Sequence, residues 1–203
     1  TGTASSSTFL RGDNSWATAG GDLSFGGDTF GADKTVGAND AYAFSLETSG
    51  NVAIKMDASG HVTKPNQPAF LAHPTSAQSN ISTGTAVTIV LGTEIFDQNG
   101  NFASNTFTAP VTGKYQLNAL WYLNQVDIDA SYYILMIKTS NRSYDRVIDS
   151  SARDEDETYS GYSLSVLADM DASDTAYMAI YQEAGSAQTD ISTGSYFGGY
   201  LVA

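Results

Sequence analysis

Apolar and polar residues alternate along several segments in the second half of the chain, which is the pattern of β-strands that bury one face. Residues 114–123 show it most clearly. One set would share a buried face, namely Tyr115, Leu117, Ala119, Trp121 and Leu123. Segments of similar length, rich in β-branched or aromatic residues, lie at 86–95, 132–138, 143–148, 159–168, 176–181 and 196–202. The sequence therefore predicts an all-β fold over residues 65–203, with roughly eight to ten strands.

A sharp corner precedes the clearest of these strands. Pro110 has no N–H to donate and should end one strand, and Gly113 supplies the conformational freedom that a tight reversal needs. Tyr115 is then the first buried residue of the next strand. Two segments here resemble the signature of the complement C1q-like globular head, within the wider C1q and tumour necrosis factor superfamily: Gly100-Asn101-Phe102 and Phe107-Thr108-Ala109-Pro110-Val111-Thr112-Gly113-Lys114-Tyr115.

The resemblance covers about residues 65–203. Its other elements are an opening strand, the residues before the Gly-Asn pair, a strand entry and a closing strand: Pro68-Ala69-Phe70-Leu71-Ala72, Phe96-Asp97, Asp174-Thr175-Ala176-Tyr177 and Tyr196-Phe197-Gly198-Gly199-Tyr200-Leu201. Ser173 departs from the family pattern, which usually has glycine there. The resemblance implies a jelly-roll β-sandwich. It also implies a homotrimer, because the superfamily typically assembles through its inner sheet.

The second face of strand 114–123 is the candidate trimer interface. It carries Gln116, Asn118, Leu120 and Tyr122, a set too apolar for plain solvent and too polar for a core. Tyr159 and Tyr162 flank Gly161 on another strand, and we expect them to join this interface.

The first third of the chain has a different character. Residues 1–20 are rich in Ser, Thr, Gly and Ala and predict an extended linker. Within them, residues 5–17 (SSSTFLRGDNSWA) resemble a phrase frequent in tail-fibre and other virion proteins of tailed bacteriophages. Residues 21–64 predict short strands with frequent reversals, and Val52, Ile54 and Met56 alternate with polar or small residues. So short a segment cannot close a core alone, so we expect a β-rich fibre stalk in which three copies pack around one axis.

Charge and composition exclude several classes of function. The net charge is −13, and residues 65–203 hold five Lys and Arg against fifteen Asp and Glu. Such an acidic surface repels nucleic-acid phosphates and anionic lipid headgroups, so nucleic-acid binding and membrane insertion are not expected. No segment has the ~20 apolar residues of a membrane span. The missing initiator Met and signal peptide predict a fragment of a longer protein. The chain has no cysteine, so no disulfide can form.

Carboxylates are the candidates for chemistry. Paired acids could serve a glycosidase, but the densest run, residues 154–157, is expected on a connecting loop rather than across a cleft. No nucleophile motif or phosphate-binding loop is present, so we do not expect an enzyme. Structural calcium is the alternative use, with Asp154, Asp156 and Glu157 as its ligands, and no other cofactor is expected.

Exposed aromatic residues near strand ends are the candidates for receptor binding. A tyrosine face can stack on a sugar ring while amides and guanidinium groups bond its hydroxyls. The predicted set is Tyr132, Tyr144, Tyr159, Asn124, Asn141 and Arg142. The sequence thus predicts the C-terminal tip of a phage tail fibre, located in the virion. Its partners would be upstream fibre proteins and a host-surface receptor, either a polysaccharide or a protein. The alternatives are a trimerisation cap without a ligand, a capsule depolymerase, and a bacterial surface or spore-coat protein.

Overall fold

The computed structural model describes residues 4–5, 8–12, 14–18, 31–33, 35–150 and 154–203. These residues form seventeen β-strands and no helix, so the predicted all-β fold is confirmed. Accordingly, the described part of the chain has no helix that could cross a membrane. The chain divides into two compact units, Thr1–Ala41 and Tyr42–Ala203.

The first unit contains a short β-hairpin. β1 (Thr8–Leu10) pairs antiparallel with β2 (Trp16–Thr18). In the turn, the Arg11 N–H donates to the Ser15 carbonyl at 2.7 Å, and Asn14 adopts a positive φ, which Asn tolerates better than most residues. Local hydrogen bonding therefore gives this part of the chain a defined structure where composition alone predicts an extended linker.

Some of the sequence-based predictions for this region concern residues that are not described. Ser6, Ser7 and Asp13 of the phage-like phrase lie outside the described residues, as do residues 19–30 and Lys34 of the predicted linker and stalk. The boundaries proposed for these segments therefore stay predictions.

The second unit begins with a three-stranded antiparallel sheet. Its strands are β3 (Phe44–Thr48), β4 (Asn51–Met56) and β5 (Val62–Thr63). Ser49 and Gly50 both have positive φ and form the tight turn between β3 and β4. Along β4, Val52, Ile54 and Met56 are half-buried while the residues between them are exposed, which confirms the predicted alternation.

Twelve further strands form a β-sandwich of two antiparallel sheets. In chain order they are β6 (Ala69–His73), β7 (Ala86–Thr88), β8 (Thr93–Gln98), β9 (Phe102–Ala103), β10 (Thr106–Thr108), β11 (Gly113–Val126), β12 (Tyr132–Thr139), β13 (Ser143–Asp149), β14 (Glu157–Met170), β15 (Thr175–Glu183), β16 (Asp190–Ile191) and β17 (Tyr196–Leu201). Sheet I has the order β14-β11-β17-β6-β8, with β16 also paired to β11. Sheet II has the order β13-β12-β15-β10-β9, with β7 also paired to β15. The predicted jelly-roll sandwich is confirmed.

Aromatic side chains from both sheets meet in the core. Phe70 of sheet I stacks on Phe107 of sheet II, with 4.7 Å between ring centroids, and also on Phe102 at 5.0 Å. Trp121 of sheet I is fully buried, and its indole N–H donates to the Ala179 carbonyl of sheet II at 3.2 Å. This hydrogen bond and the ring contacts join the two sheets.

The predicted corner before β11 forms for a partly different reason. Tyr115 is buried, as expected, and its hydroxyl donates back across the corner to the Val111 carbonyl at 2.7 Å. Gly113 does not have a positive φ. Glycine is required there for space, because a Cβ would lie 2.5 Å from the Ala203 carbonyl oxygen.

One predicted strand, residues 86–95, is wrong in its extent. β7 ends at Thr88 and β8 begins at Thr93, and the two strands belong to different sheets. Between them, Ile89 and Leu91 are buried as the chain passes from sheet II to sheet I. A continuous strand could not make this change of sheet.

The sandwich has a proximal end, where the chain enters it, and a distal end at the opposite side, which is rich in carboxylates. At the proximal end the chain arrives from β5, and the Leu201 N–H donates to the Pro68 carbonyl. The distal end carries two loops, 127–131 before β12 and 184–189 after β15. They lie side by side because Tyr132, at the start of β12, pairs with Glu183, at the end of β15. The described residues of this end include no Lys or Arg but many carboxylates: Asp127, Asp129, Asp149, Asp154, Glu155, Asp156, Glu157, Glu183 and Asp190.

Candidate functional site

The outward face of sheet I, the face turned away from sheet II, begins with the second face of β11. The alternation predicted for this strand is confirmed, because the five residues of its predicted core face are all buried. Gln116, Asn118, Leu120 and Tyr122 are half-buried on the other side. The register partners of these residues on β14 and β17 lie on the same face. Gln116 lies between Leu167 and Tyr200, and Leu120 lies between Ser163 and Tyr196. Tyr122 faces Gly161.

Large apolar side chains on this face are open to solvent in the single chain. Tyr159 is 65% exposed, Leu167 57%, and Tyr200 and Phe96 each 49%. The rings of Tyr122 and Tyr159 lie 6.2 Å apart. Monomeric proteins rarely expose a broad contiguous apolar patch, so such a face indicates an interface.

Three polar side chains near the middle of this face are hydrogen-bonded to one another. The Gln116 amide donates to the Ser165 hydroxyl at 2.8 Å, and that hydroxyl donates to Asn118 Oδ1 at 2.8 Å. Because these groups already have partners, covering them costs less than burying unpaired polar groups. Charged side chains occur at the two ends of these register positions, where Lys114 faces Asp169 at one end and Asp190 faces Asn124 at the other.

A groove of about 440 Å³ crosses the same face above Gly198 and Gly199. Its walls include Phe96, Tyr196 and Tyr200. Glycine is needed on its floor, because a Cβ on Gly198 would lie 2.9 Å from the Phe70 carbonyl oxygen.

Tyr162 is a correction to the predicted interface. Its register partner is Trp121, so it lies on the inward side of sheet I and packs against the core. Arg146 lies over its ring, 5.4 Å from the centroid. Flanking Gly161 is no guide to orientation, because successive strand residues point to opposite faces and only the register shows which face. Tyr159, in contrast, lies on the outward face as expected.

The structure does not bring the predicted receptor-binding residues together. Tyr132 lies at the distal end on sheet II, whereas Asn124 and Tyr159 pair with each other at the distal end of sheet I. Asn141 and Arg142 lie at the proximal end, in the turn between β12 and β13.

Three of these predicted residues, Asn141, Arg142 and Tyr144, contact other residues of the sandwich. Asn141 donates to the Asp169 carbonyl at 3.1 Å and to the Asp174 carboxylate at 2.9 Å, and Arg142 forms an ion pair with Asp169 at 2.9 Å. Tyr144 faces Ile137 across the strands and packs against the core. These three residues therefore tie the turn and the sandwich edge together, and their role in receptor binding stays a prediction.

The predicted calcium ligands are not assembled into a site. Among the described residues, no three or more His, Cys, Asp or Glu side chains are arranged to hold a metal ion. Asp156 accepts hydrogen bonds from the Ile128 N–H and from the Gln188 amide, both at 2.9 Å, and these bonds lower the pKa of its carboxyl group. Asp156 thus joins two distal loops, while Asp154 is exposed to solvent.

The sequence missed a buried polar cluster at the distal end. Asp127 is 2% exposed, and its carboxylate accepts from the Asp129 N–H at 2.9 Å and from the Ser186 N–H. The Tyr133 hydroxyl lies 2.8 Å from the Thr189 hydroxyl, and burial raises the pKa of Tyr133. The Asp127-x-Asp129 spacing is compatible with a metal ligand pair, but here the first carboxylate binds backbone.

Replacing Asp127 with alanine should lower the free energy of unfolding by about 2–4 kcal/mol, since two backbone donors would lose their acceptor in a buried site. Urea unfolding followed by far-UV circular dichroism, at one fixed protein concentration, measures the change. Asp127→Asn keeps the size and one acceptor oxygen, so its cost should be clearly smaller. Equal costs for the two variants would contradict this role for the carboxylate.

A family model described as the C1q domain matches residues 69–202. The globular domain of zebrafish complement 1qA protein is 13% identical with a TM-score of 0.49, and the alignment covers 68% of this chain and 98% of that one. Murine APRIL is 10% identical with a TM-score of 0.47, covering 67% and 99%. No curated protein sequence matches. Since the family match spans more than half of the chain, the chain belongs to the C1q domain family.

Proposed function

We propose that this chain is the receptor-binding end of an extracellular fibre, of the kind that tailed bacteriophages use to attach to host cells, and that its sandwich assembles as a homotrimer. C1q and tumour necrosis factor domains commonly form homotrimers and bind receptors, and they are generally not enzymes. The observation that carries the proposal is the outward face of sheet I: apolar, without charge over most of its length, and open to solvent in one chain.

Threefold assembly through this face would remove its apolar surface from water. In a cyclic trimer each interface joins two different patches of the same chain. One patch would be the exposed side chains of Tyr159 and Leu167 on β14. The other would be the groove over Gly198 and Gly199 near the β8 edge, into which those side chains would pack. The stalk supports the same symmetry, because Leu46 and Val62 in its small sheet are each at least half exposed.

The phage context rests on the first unit. The phrase at residues 5–17 resembles phage virion proteins, and a β-rich segment follows it before the sandwich. The acidic head disfavours nucleic acid as a partner. Three receptor sites on one axis would gain avidity, because binding at one site raises the effective receptor concentration at the others to the mM range.

The first test is the mass of the particle and its binding to cells. Sedimentation at micromolar concentration should give about 64 kDa, three times the 21.4 kDa of one chain. Fluorescently labelled trimer should then bind some strains in a panel of bacteria and not others. A stable particle of one chain at this concentration would end the assembly part of the proposal.

A trimerisation cap that binds no receptor is the second candidate. The dispersal of the predicted receptor residues favours it, because Asn141, Arg142 and Tyr144 all have structural partners. The cap predicts a trimer of the same mass that binds neither cells nor glycans, and only the binding assay separates the two functions.

A further inference from the structure

We propose that the outward face of sheet II, at its distal end, binds a sugar ring without an acidic group, stacked on Tyr132 and Tyr181 and hydrogen-bonded by Glu183. This inference deepens the proposed receptor-binding function and rests on it. The proposed trimer interface uses the opposite sheet, so three copies of this surface would stay open to solvent on each particle.

Two tyrosine rings form the platform. Tyr132 of β12 faces Glu183 of β15, and Tyr181 faces Ile134, so the two tyrosines occupy diagonal positions on one side of the sheet. Their ring centroids lie 6.2 Å apart, with 30° between the planes. Both residues are half-buried, so each ring is held at its base while part of it reaches solvent. Aromatic rings fixed in this way bind the C–H face of a pyranose ring.

The carboxylate of Glu183 is held at the edge of this platform. The Tyr181 hydroxyl donates to Glu183 Oε2, and this hydrogen bond raises the pKa of Tyr181 to about 12. A carboxylate has about four acceptor positions, so one bond from a tyrosine leaves it able to accept from sugar hydroxyls. Charge-assisted hydrogen bonds of this kind are stronger than neutral ones.

The rims of the platform are small or apolar. Val147 faces Ile134 on one side and is 64% exposed. Ala86 faces Tyr181 on the other side and is too small to cover the ring. Apolar substituents of a sugar, such as the methyl groups of acetamido or deoxy sugars, would contact this rim.

Charge selects against acidic ligands. Asp149 faces Tyr132 across the strands, and Asp145 lies further along the same side of β13. The described residues of the distal end carry no Lys or Arg. A uronic acid, a sialic acid or a sugar phosphate stacked on Tyr132 would lie beside the carboxylates of Asp149 and Glu183 and be repelled by them, whereas a neutral or amino sugar would not.

The test uses the trimer of residues 1–203 on an array of neutral, N-acetylated, amino, uronic and sialylated oligosaccharides. Wild-type protein should bind neutral, N-acetylated or amino glycans and not the acidic ones. Tyr132→Ala and Tyr181→Ala should each weaken that binding at least tenfold, and Glu183→Gln should weaken it several-fold. Tyr181→Phe keeps the platform and removes the hydroxyl, so it should lose less than Tyr181→Ala.

Tyr177→Ala is the matched control. Tyr177 lies on the same side of β15 but at the proximal end, under Lys138 at 5.9 Å, and its loss should leave binding unchanged. Sedimentation must show that every variant remains assembled. Binding that survives both tyrosine-to-alanine changes, or a preference for acidic glycans, would overturn this site while the receptor-binding function stands. If wild type binds neither the array nor any cell, the proposed function falls and this inference falls with it.

Discussion

Replacing Leu120 with glutamate is expected to convert the trimer into monomers. Leu120 lies near the middle of the outward face of sheet I, between Ser163 and Tyr196. In a trimer the change would bury three carboxylates near one axis, and neither register partner of Leu120 carries a positive charge to pair with them. We expect the trimer to weaken at least a thousandfold, about 4 kcal/mol, and the sedimenting mass to fall to that of one chain at micromolar concentration.

Val147→Glu is the matched control for this experiment. It places the same charge on an exposed apolar residue, but on the outward face of sheet II. This variant should remain a trimer. A Leu120→Glu protein that sediments as the wild type does would show that the outward face of sheet I is not the interface, whatever the family commonly does.

The sequence alone predicts which face of a strand a side chain occupies when apolar and polar residues alternate clearly along that strand. Along β11 the side chains alternate with a period of two, so the buried set and the set containing Leu120 follow directly from the order of residues. Tyr162 shows the limit of this reasoning. Tyr159 and Tyr162 are three residues apart, so alternation alone places them on opposite faces, but which of the two lies outward depends on how β14 is aligned with β11. No local feature near Gly161 contains that alignment.

The candidate interface could have been predicted more fully. Tyr196, Gly198 and Tyr200 alternate with buried residues of β17, which is the same signal that identified β11. The glycines there also belong to the closing motif of the family, and the motif by itself does not predict which side of the strand the neighbouring tyrosines occupy. Leu167 and Phe96 are different, since only the strand order places them on that face.

The predicted receptor-binding residues lie apart in the fold because the prediction uses position along the chain. Tyr132 begins β12 and Asn141 lies in the turn that follows this strand, so the two residues are close in sequence but at opposite ends of the sandwich. Tyr181 and Glu183, which form the proposed sugar platform with Tyr132, come from a strand about fifty residues later. Antiparallel pairing brings them together, and the sequence alone does not show which strands pair.

Trp121→Ala should produce the largest loss of stability of any change considered for the core. The indole is fully buried between the sheets, and its N–H donates to the Ala179 carbonyl. Removing it leaves a cavity and takes away one hydrogen bond between the sheets, so the free energy of unfolding should fall by about 3–5 kcal/mol. Urea unfolding followed by far-UV circular dichroism measures this at matched protein concentration, because the stability of an oligomer depends on concentration.

Trp121→Phe separates the two contributions to this loss. Phenylalanine refills most of the cavity but cannot donate to Ala179, so we expect a cost of about 1–2 kcal/mol. Both variants should still form trimers under native conditions, since Trp121 lies on the inward face of sheet I while Leu120 lies on the outward one. A Trp121→Ala protein whose free energy of unfolding lies within about 1 kcal/mol of the wild-type value would contradict this role for the indole. A loss that small corresponds to about one hydrogen bond and leaves nothing for the cavity.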